Sequence, residues 1–344
     1  MTVPLSGWAL PTVPSVVHGG PDADGIAKFD FSTNGNAGGP LNSVAAAVAQ
    51  ADRTHYPDPD YLALREHLAS YHRVRLDQVV LAGSASEFID RFTRFAATYG
   101  ATRRVRVPRP GYGDYRAAAM RHGLQVHDYR PTEALMPASG DLWWLTEPSS
   151  PTGRSHHAQL EQLILAARYV NATVVLDLAY QPLRLDRIEL PACATHAWQL
   201  WTPNKACGLT GIRGAYVLAP DADRSVAQPL SSHASSWILG ADGVRMLSAF
   251  ATEAAQLELD HAKILLAQWR GELAGILADA GWEVADRDSV TPFFVARPPP
   301  QFSSAALRTR GIKVRDAESM GMPGWIRVAA QRPESLAALR FALT

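Results

Sequence analysis

An α/β fold built on a mostly parallel sheet, with a smaller α+β unit behind it, is what this 344-residue chain predicts. Two observations carry that reading. Short apolar runs alternate with segments of helical period through the first two thirds, as in βαβ units. Beyond about residue 230 the alternation stops, and a long helical stretch precedes several short strands and a closing helix.

Residues 1–40 are rich in proline and glycine and read as an extended arm. Asp58-Pro59 is a good helix start, with Asp at the N-cap and Pro at the first helical position. Leu64, Leu68 and Tyr71 then share one helical face. Gln78–Ala82 reads as a buried strand that stops at Gly83. A helix follows from Ser84–Ser86 and buries Phe88, Phe92 and Phe95 at i, i+4 and i+7. Val105–Val107 and Leu142–Leu145 are further strands, the second running into Pro148-Ser149-Ser150-Pro151-Thr152-Gly153. A helix is expected over about 157–170, and a strand from Thr173 to Leu176 that ends at Asp177. The rest predicts a helical region over about 243–280, strands near 282–286, 292–297, 312–315 and 325–329, and a helix near 333–343. The resulting division is an arm over 1–40, a large α/β unit over 41–235, and a small C-terminal unit over 236–344 that packs with the arm.

Bulk properties exclude several classes. A hydrophobic share of 47% with 19% charged residues suits a packed globular chain rather than a disordered one. Net charge is zero, so no basic stripe points to nucleic acid. Cys193 and Cys207 are the only cysteines, too few for a disulfide framework or a cysteine zinc site. No stretch approaches the roughly 20 apolar residues of a membrane helix, and no signal peptide is evident, so a cytoplasmic protein is expected. The histidines, His156 and His157 among them, show no metal-ligand spacing and are expected to face solvent.

Lys205 is the informative residue. Lysine is scarce, with only Lys28, Lys205, Lys263 and Lys313, and arginine does most of the cationic work. Lys205 sits in Thr202-Pro203-Asn204-Lys205, before a loop punctuated by Gly208, Gly211 and Gly214. Unlike arginine, a lysine amine can shed its proton and act as nucleophile or base. Active groups of open α/β sheets collect at the carboxyl ends of strands. Here those ends deliver Gly83-Ser84-Ala85-Ser86, Tyr112, Ser150, Asp177, Tyr180 and Lys205. One ligand accounts for the set, pyridoxal 5′-phosphate. Lys205 holds it as a Schiff base, and Asp177 pairs with the pyridine nitrogen. The helix start at Ala85 and Ser86 takes the phosphate, with Arg213 adding a charged contact. Each residue also has an ordinary reading: a surface lysine, a strand-end aspartate, a helix cap at Ser84–Ser86, and a core tyrosine at 112, with Tyr115 a rival for the ring.

These motifs, in this order, resemble the fold-type I pyridoxal-phosphate enzymes of the class I/II aminotransferase group. The branch with histidinol-phosphate aminotransferase and the cobalamin-pathway threonine-phosphate decarboxylase is the most similar. The likeness runs from Phe31-Ser32-Thr33-Asn34-Gly35-Asn36 to Gly324-Trp325-Ile326-Arg327-Val328. It implies the aspartate aminotransferase fold, with Lys205 as Schiff-base lysine, Arg213 and Thr202 on the phosphate, and Asp177 and Tyr180 on the ring nitrogen and 3′-oxygen. It implies that Tyr112 stacks on the ring and that Arg327 takes the substrate carboxylate. Asn34 and Arg315 fall on the substrate side, Arg315 as a candidate for a second anion. It further implies a homodimer in which Tyr56 reaches the phosphate in the other subunit.

One departure stands out. Ser150 occupies the position where the family carries the asparagine of Asn-Pro-Thr-Gly; its hydroxyl side chain is shorter, so a weaker or water-bridged contact to the cofactor is expected. The resemblance implies an aminotransferase for a small amino acid or amine, phosphorylated substrates included. Decarboxylation of threonine phosphate is the alternative, since the same residues serve both. A non-catalytic cofactor-binding sensor, as in some transcription regulators, fits poorly, because the first 40 residues are too short and too rich in Pro and Gly for a DNA-binding domain.

Overall fold

A computed structural model describes residues 18–344. The part of the expected arm over 1–17 lies outside the described residues. The strands, in chain order, are β1 (Phe29–Asp30), β2 (Val79–Ala82), β3 (Arg104–Pro108), β4 (Gln125–Tyr129), β5 (Asp141–Thr146), β6 (Thr173–Asp177), β7 (Trp198–Trp201), β8 (Ala215–Leu218), β9 (Glu283–Ala285), β10 (Phe293–Arg297), β11 (Ile312–Lys313), β12 (Arg315–Asp316) and β13 (Ile326–Ala329).

Seven strands form one sheet in the order β2-β8-β7-β6-β5-β3-β4. Only β8 runs against its neighbours; the β7–β6–β5–β3–β4 run is parallel. Parallel pairing needs crossovers that cover the faces, so its strands are buried on both sides. β2, β5 and β8 are buried throughout, which explains their unbroken apolar runs. Helices do the covering, among them Ala85–Tyr99, capped by Ser84 Oγ, which accepts from the Glu87 N–H at 3.1 Å, and His157–Val170. Phe88 and Phe92 enter the core; Phe95, expected there, is only half-buried at its margin.

The C-terminal part carries an antiparallel sheet in the order β12-β13-β10-β9. The residues expected as one strand over 312–315 are two: β11 pairs in parallel with β1, and β12 pairs with β13. Phe31 lies fully buried among Leu273, Phe294, Ile312 and Val328.

Two helix boundaries differ from expectation. Asp58 is not the N-cap and Pro59 not the first helical residue: the helix runs Leu62–His72 with Tyr61 at its N-cap, and Asp58 Oδ2 accepts from Leu62 N–H at 2.7 Å from the turn before it. Leu64 and Leu68 are buried there, whereas Tyr71 is exposed. The region over 243–280 is two helices, Ala241–Phe250 and Glu253–Asp279. Thr252 makes the break: its hydroxyl donates to Ala249 C=O at 2.7 Å and accepts from Ala255 N–H, ending one helix and capping the next.

Candidate active site

The carboxyl ends of β5 and β6 open onto a cavity of about 480 Å³. Asp177 closes β6 and is buried. Its Oδ1 accepts from Ala179 N–H at 3.0 Å and its Oδ2 from Tyr115 Oη at 2.7 Å. Burial pushes the Asp177 carboxyl up, and the Tyr115 hydrogen bond and the charge of Lys205 pull it back. The Tyr115 hydroxyl also meets Thr146 Oγ1 at 2.8 Å.

Lys205 is placed by its backbone. Its carbonyl accepts from Asn36 N–H at 2.8 Å and Gly208 N–H at 3.2 Å, tying the loop to the segment after β1. Gly208 is required there: its φ is +67°, and a Cβ would come within 2.4 Å of Gly39 O. The Lys205 Nζ lies over the Tyr180 ring, 5.3 Å from its centroid. Tyr180 packs edge-on against Phe293 at 4.7 Å, and Asn34 Nδ2 donates to its hydroxyl at 3.3 Å.

Tyr112 and Tyr115, rivals in the sequence, separate cleanly. Tyr112 borders the cavity and donates to Asp114 at 2.8 Å. Burial, then the Asp114 charge, raises its phenol above the ordinary range. Tyr115 lies behind it, fully buried and stacked on Trp144 with centroids 5.1 Å apart.

Arg315 and Arg327 are paired residues on the adjacent strands β12 and β13, and both border the cavity. Both are buried, which lowers each guanidinium from its usual value; for Arg315 the neighbouring Arg327 lowers it further. Arg327 donates to Ser150 Oγ at 3.2 Å and to Ser32 O at 2.7 Å. Arg315 donates to Ser319 Oγ at 2.9 Å.

Lys205, Asp177, Tyr180, Tyr112, Ser150, Ala85, Ser86, Arg213, Asn34, Arg315 and Arg327 therefore share one cavity. Thr202 does not border it, but its Oγ1 is buried without a hydrogen-bond partner. Tyr56 stands apart, 76% exposed and stacked on Trp237 at 4.2 Å. His156, expected in solvent, is buried, and its backbone N–H donates to the buried Glu147 carboxylate at 2.9 Å. Sequence reasoning missed Thr146, Arg116 and His18 on the cavity wall. Thr146 closes a strand just as Asp177 does, and Arg116 sits one helical turn after Tyr112, so both were findable. His18 carries no comparable signal.

The donors fit pyridoxal 5′-phosphate. A lysine amine and a buried carboxylate border the same cavity, a capped helix opens onto it at Ala85, and Thr202 Oγ1 has hydrogen-bonding capacity to spare. The mixed, mostly parallel seven-stranded sheet is that of the aspartate aminotransferase fold.

Comparison with known proteins sharpens the class. Residues 26–339 match the model of the aminotransferase class I and II family, and the chain belongs to that family. Its cofactor is accordingly pyridoxal 5′-phosphate. A histidinol-phosphate aminotransferase of Haloarcula marismortui is 28% identical over 339 residues, covering 90% of this chain and 86% of that one. Among solved structures, the L-threonine-O-3-phosphate decarboxylase of Porphyromonas gingivalis superposes with a TM-score of 0.75 at 21% identity, over 91% of this chain and 97% of that one. The histidinol-phosphate aminotransferase of Sinorhizobium meliloti, in complex with pyridoxal-5′-phosphate, gives 0.72 at 21% identity, over 90% and 88%. Among the described residues no helix is long and apolar enough to cross a membrane.

Proposed function

We propose that the chain is an aminotransferase for a small amino acid or amine, phosphorylated substrates included, with Lys205 as the covalent anchor of its cofactor. The observation that carries the reading is the meeting of Lys205, Asp177 and the Arg315–Arg327 pair around one cavity. When bound, the cofactor supplies an electron sink for the charge released as a bond to the substrate α-carbon breaks. Lys205 would hold the cofactor and, once free, would take the substrate α-proton on Nζ as general base and later give a proton up as general acid at a different carbon. Asp177 holds the ring nitrogen, and Tyr180 and Ser150 serve the 3′-oxygen. The N–H groups of Ala85 and Ser86 hold the phosphate with Thr202 and Arg213. Arg327 takes the substrate carboxylate, Arg315 a second anion, and Asn34 steadies Tyr180. Tyr112 covers the ring.

We also propose a homodimer in which Tyr56, exposed in the single chain, reaches the phosphate of the partner's site. The division at about residues 40 and 235 is proposed likewise. Decarboxylation would use the same residues and differ only in the bond that is broken, so the substrates decide. Purified protein should show a visible band with pyridoxal phosphate that Lys205→Ala abolishes. Histidinol phosphate with 2-oxoglutarate should then yield glutamate. Carbon dioxide from threonine phosphate would replace the reading with decarboxylation. A band without turnover of any amino acid would leave a binding protein, and an unchanged band in Lys205→Ala would overturn the anchor.

A further inference from the structure

We propose that Tyr115 is a positioning residue for Asp177: its hydroxyl, backed by Thr146, fixes the direction of the carboxylate and keeps it anionic. The inference rests on the proposed role of Asp177 as partner of the ring nitrogen.

The packing of Tyr115 needs no hydroxyl. Its ring stacks on Trp144 at an interplanar angle of 9° and meets Tyr112 edge-on at 5.5 Å, and phenylalanine would do both. A buried phenol is costly unless it is hydrogen-bonded, so its partners tell its purpose. They are Asp177 Oδ2 at 2.7 Å and Thr146 Oγ1 at 2.8 Å.

An ionised carboxylate only accepts, so the single Tyr115 proton goes to Asp177. The Tyr115 oxygen then accepts from Thr146. The result is a one-way chain, Thr146 O–H to Tyr115 O–H to Asp177, which favours the charged carboxylate. Strand register supplies the geometry, because Thr146 and Asp177 are paired residues at the ends of β5 and β6. With Oδ1 held by Ala179 N–H, both carboxylate oxygens are oriented, and Asp177 still borders the cavity. The other charged or titratable groups acting on Asp177 are Lys205, which favours its anion, Asp114, which opposes it, and Tyr112.

Tyr115→Phe tests this through cofactor affinity across pH, measured by titrating apo-protein with pyridoxal phosphate. Losing a hydrogen bond to a charged group should weaken binding by about ten- to a hundredfold. The acid limb of the affinity profile should move to higher pH, because Asp177 then takes up its proton more readily. A merely structural role would lower thermal stability and leave that limb in place. Wild-type affinity and an unmoved limb in a folded variant would overturn the proposal. If Tyr115→Phe does not fold, Thr146→Val reads the same chain from its far end, where a smaller shift of the same sign is expected and none would overturn it. Failure of the wild-type protein to bind the cofactor would instead count against the proposed function.

Discussion

Arg327 Nη1 donates to Ser150 Oγ across 3.2 Å, joining β13 to the loop that follows β5. The contact ties the arginine proposed for the substrate carboxylate to the residue that departs from the family pattern. Because the Ser150 oxygen accepts from Arg327, its own proton remains free to donate. Serine can therefore serve both neighbours, as an asparagine would with its carbonyl and amide.

Ser150→Ala should raise KM for the amino-acid substrate more than it lowers kcat, since it leaves a buried guanidinium N–H unpaired. The cost should be about 1–3 kcal/mol, or roughly 5- to 150-fold. Ser150→Asn restores both a donor and an acceptor and should recover most of the loss. Steady-state kinetics of the two variants decide it; equal defects would show that shape rather than hydrogen bonding matters at this position.

The same loop rests on a buried ion pair. Arg184 Nη1 meets Glu147 Oε1 at 2.8 Å, both side chains almost wholly buried, and Arg184 also donates to Ser155 Oγ at 2.7 Å. Removing one partner strands the other charge in the interior. Glu147→Ala should destabilise the fold by about 3–5 kcal/mol, read as a fall in the urea midpoint. Asp186, 2.6 Å from Arg184 Nε, offsets part of the loss, so Asp186→Ala together with Glu147→Ala should be worse than either alone.

Gly153 closes this loop against the C-terminal part. Its φ is +71°, and a Cβ there would come within 2.2 Å of Ser289 Oγ and 2.7 Å of Phe293 O. Flexible hydroxyls can yield, but the Phe293 backbone belongs to β10. Gly153→Ala should therefore cost about 2 kcal/mol or more, from left-handed strain and displacement together. Thermal unfolding measures that cost, and a wild-type midpoint would show that the loop can relax.

Much of this site was legible because strand ends are marked in the sequence. β5 and β6 are apolar runs closed by polar residues, and parallel pairing brings their ends together; Asp177 and Ser150 followed from that alone. Lys205 was legible through its scarcity and its distance to Arg213. What the sequence hid depends on neighbours far along the chain. β4, Gln125–Tyr129, is an edge strand with mixed burial and no continuous apolar run. β8 follows the glycine loop after Lys205, and nothing in its four residues announces an antiparallel strand between β2 and β7. The split at Thr252 turns on a single hydroxyl inside a continuous helical period. Likewise, Tyr112 and Tyr115 differ only in which one faces the cavity, and the i, i+3 spacing does not choose between them.

His72 predicts an acid-sensitive fold. It is packed against Trp201 and hydrogen-bonded through Nε2 to Tyr216 Oη at 2.8 Å. Burial lowers its pKa from 6.5 to about 4. The folded state thus keeps His72 neutral where the unfolded chain would already bind a proton. Above about pH 6.5 neither state is protonated there and the site costs nothing. Between that pH and about 4 the unfolded state binds more protons, so stability falls as the pH falls, by up to about 3 kcal/mol from this group. His72→Phe removes the titration and keeps an aromatic ring against Trp201, although Tyr216 loses its partner. Urea midpoints at pH 7 and pH 5 should therefore differ less in the variant than in the wild type. An equal drop in both would assign the acid sensitivity to other groups.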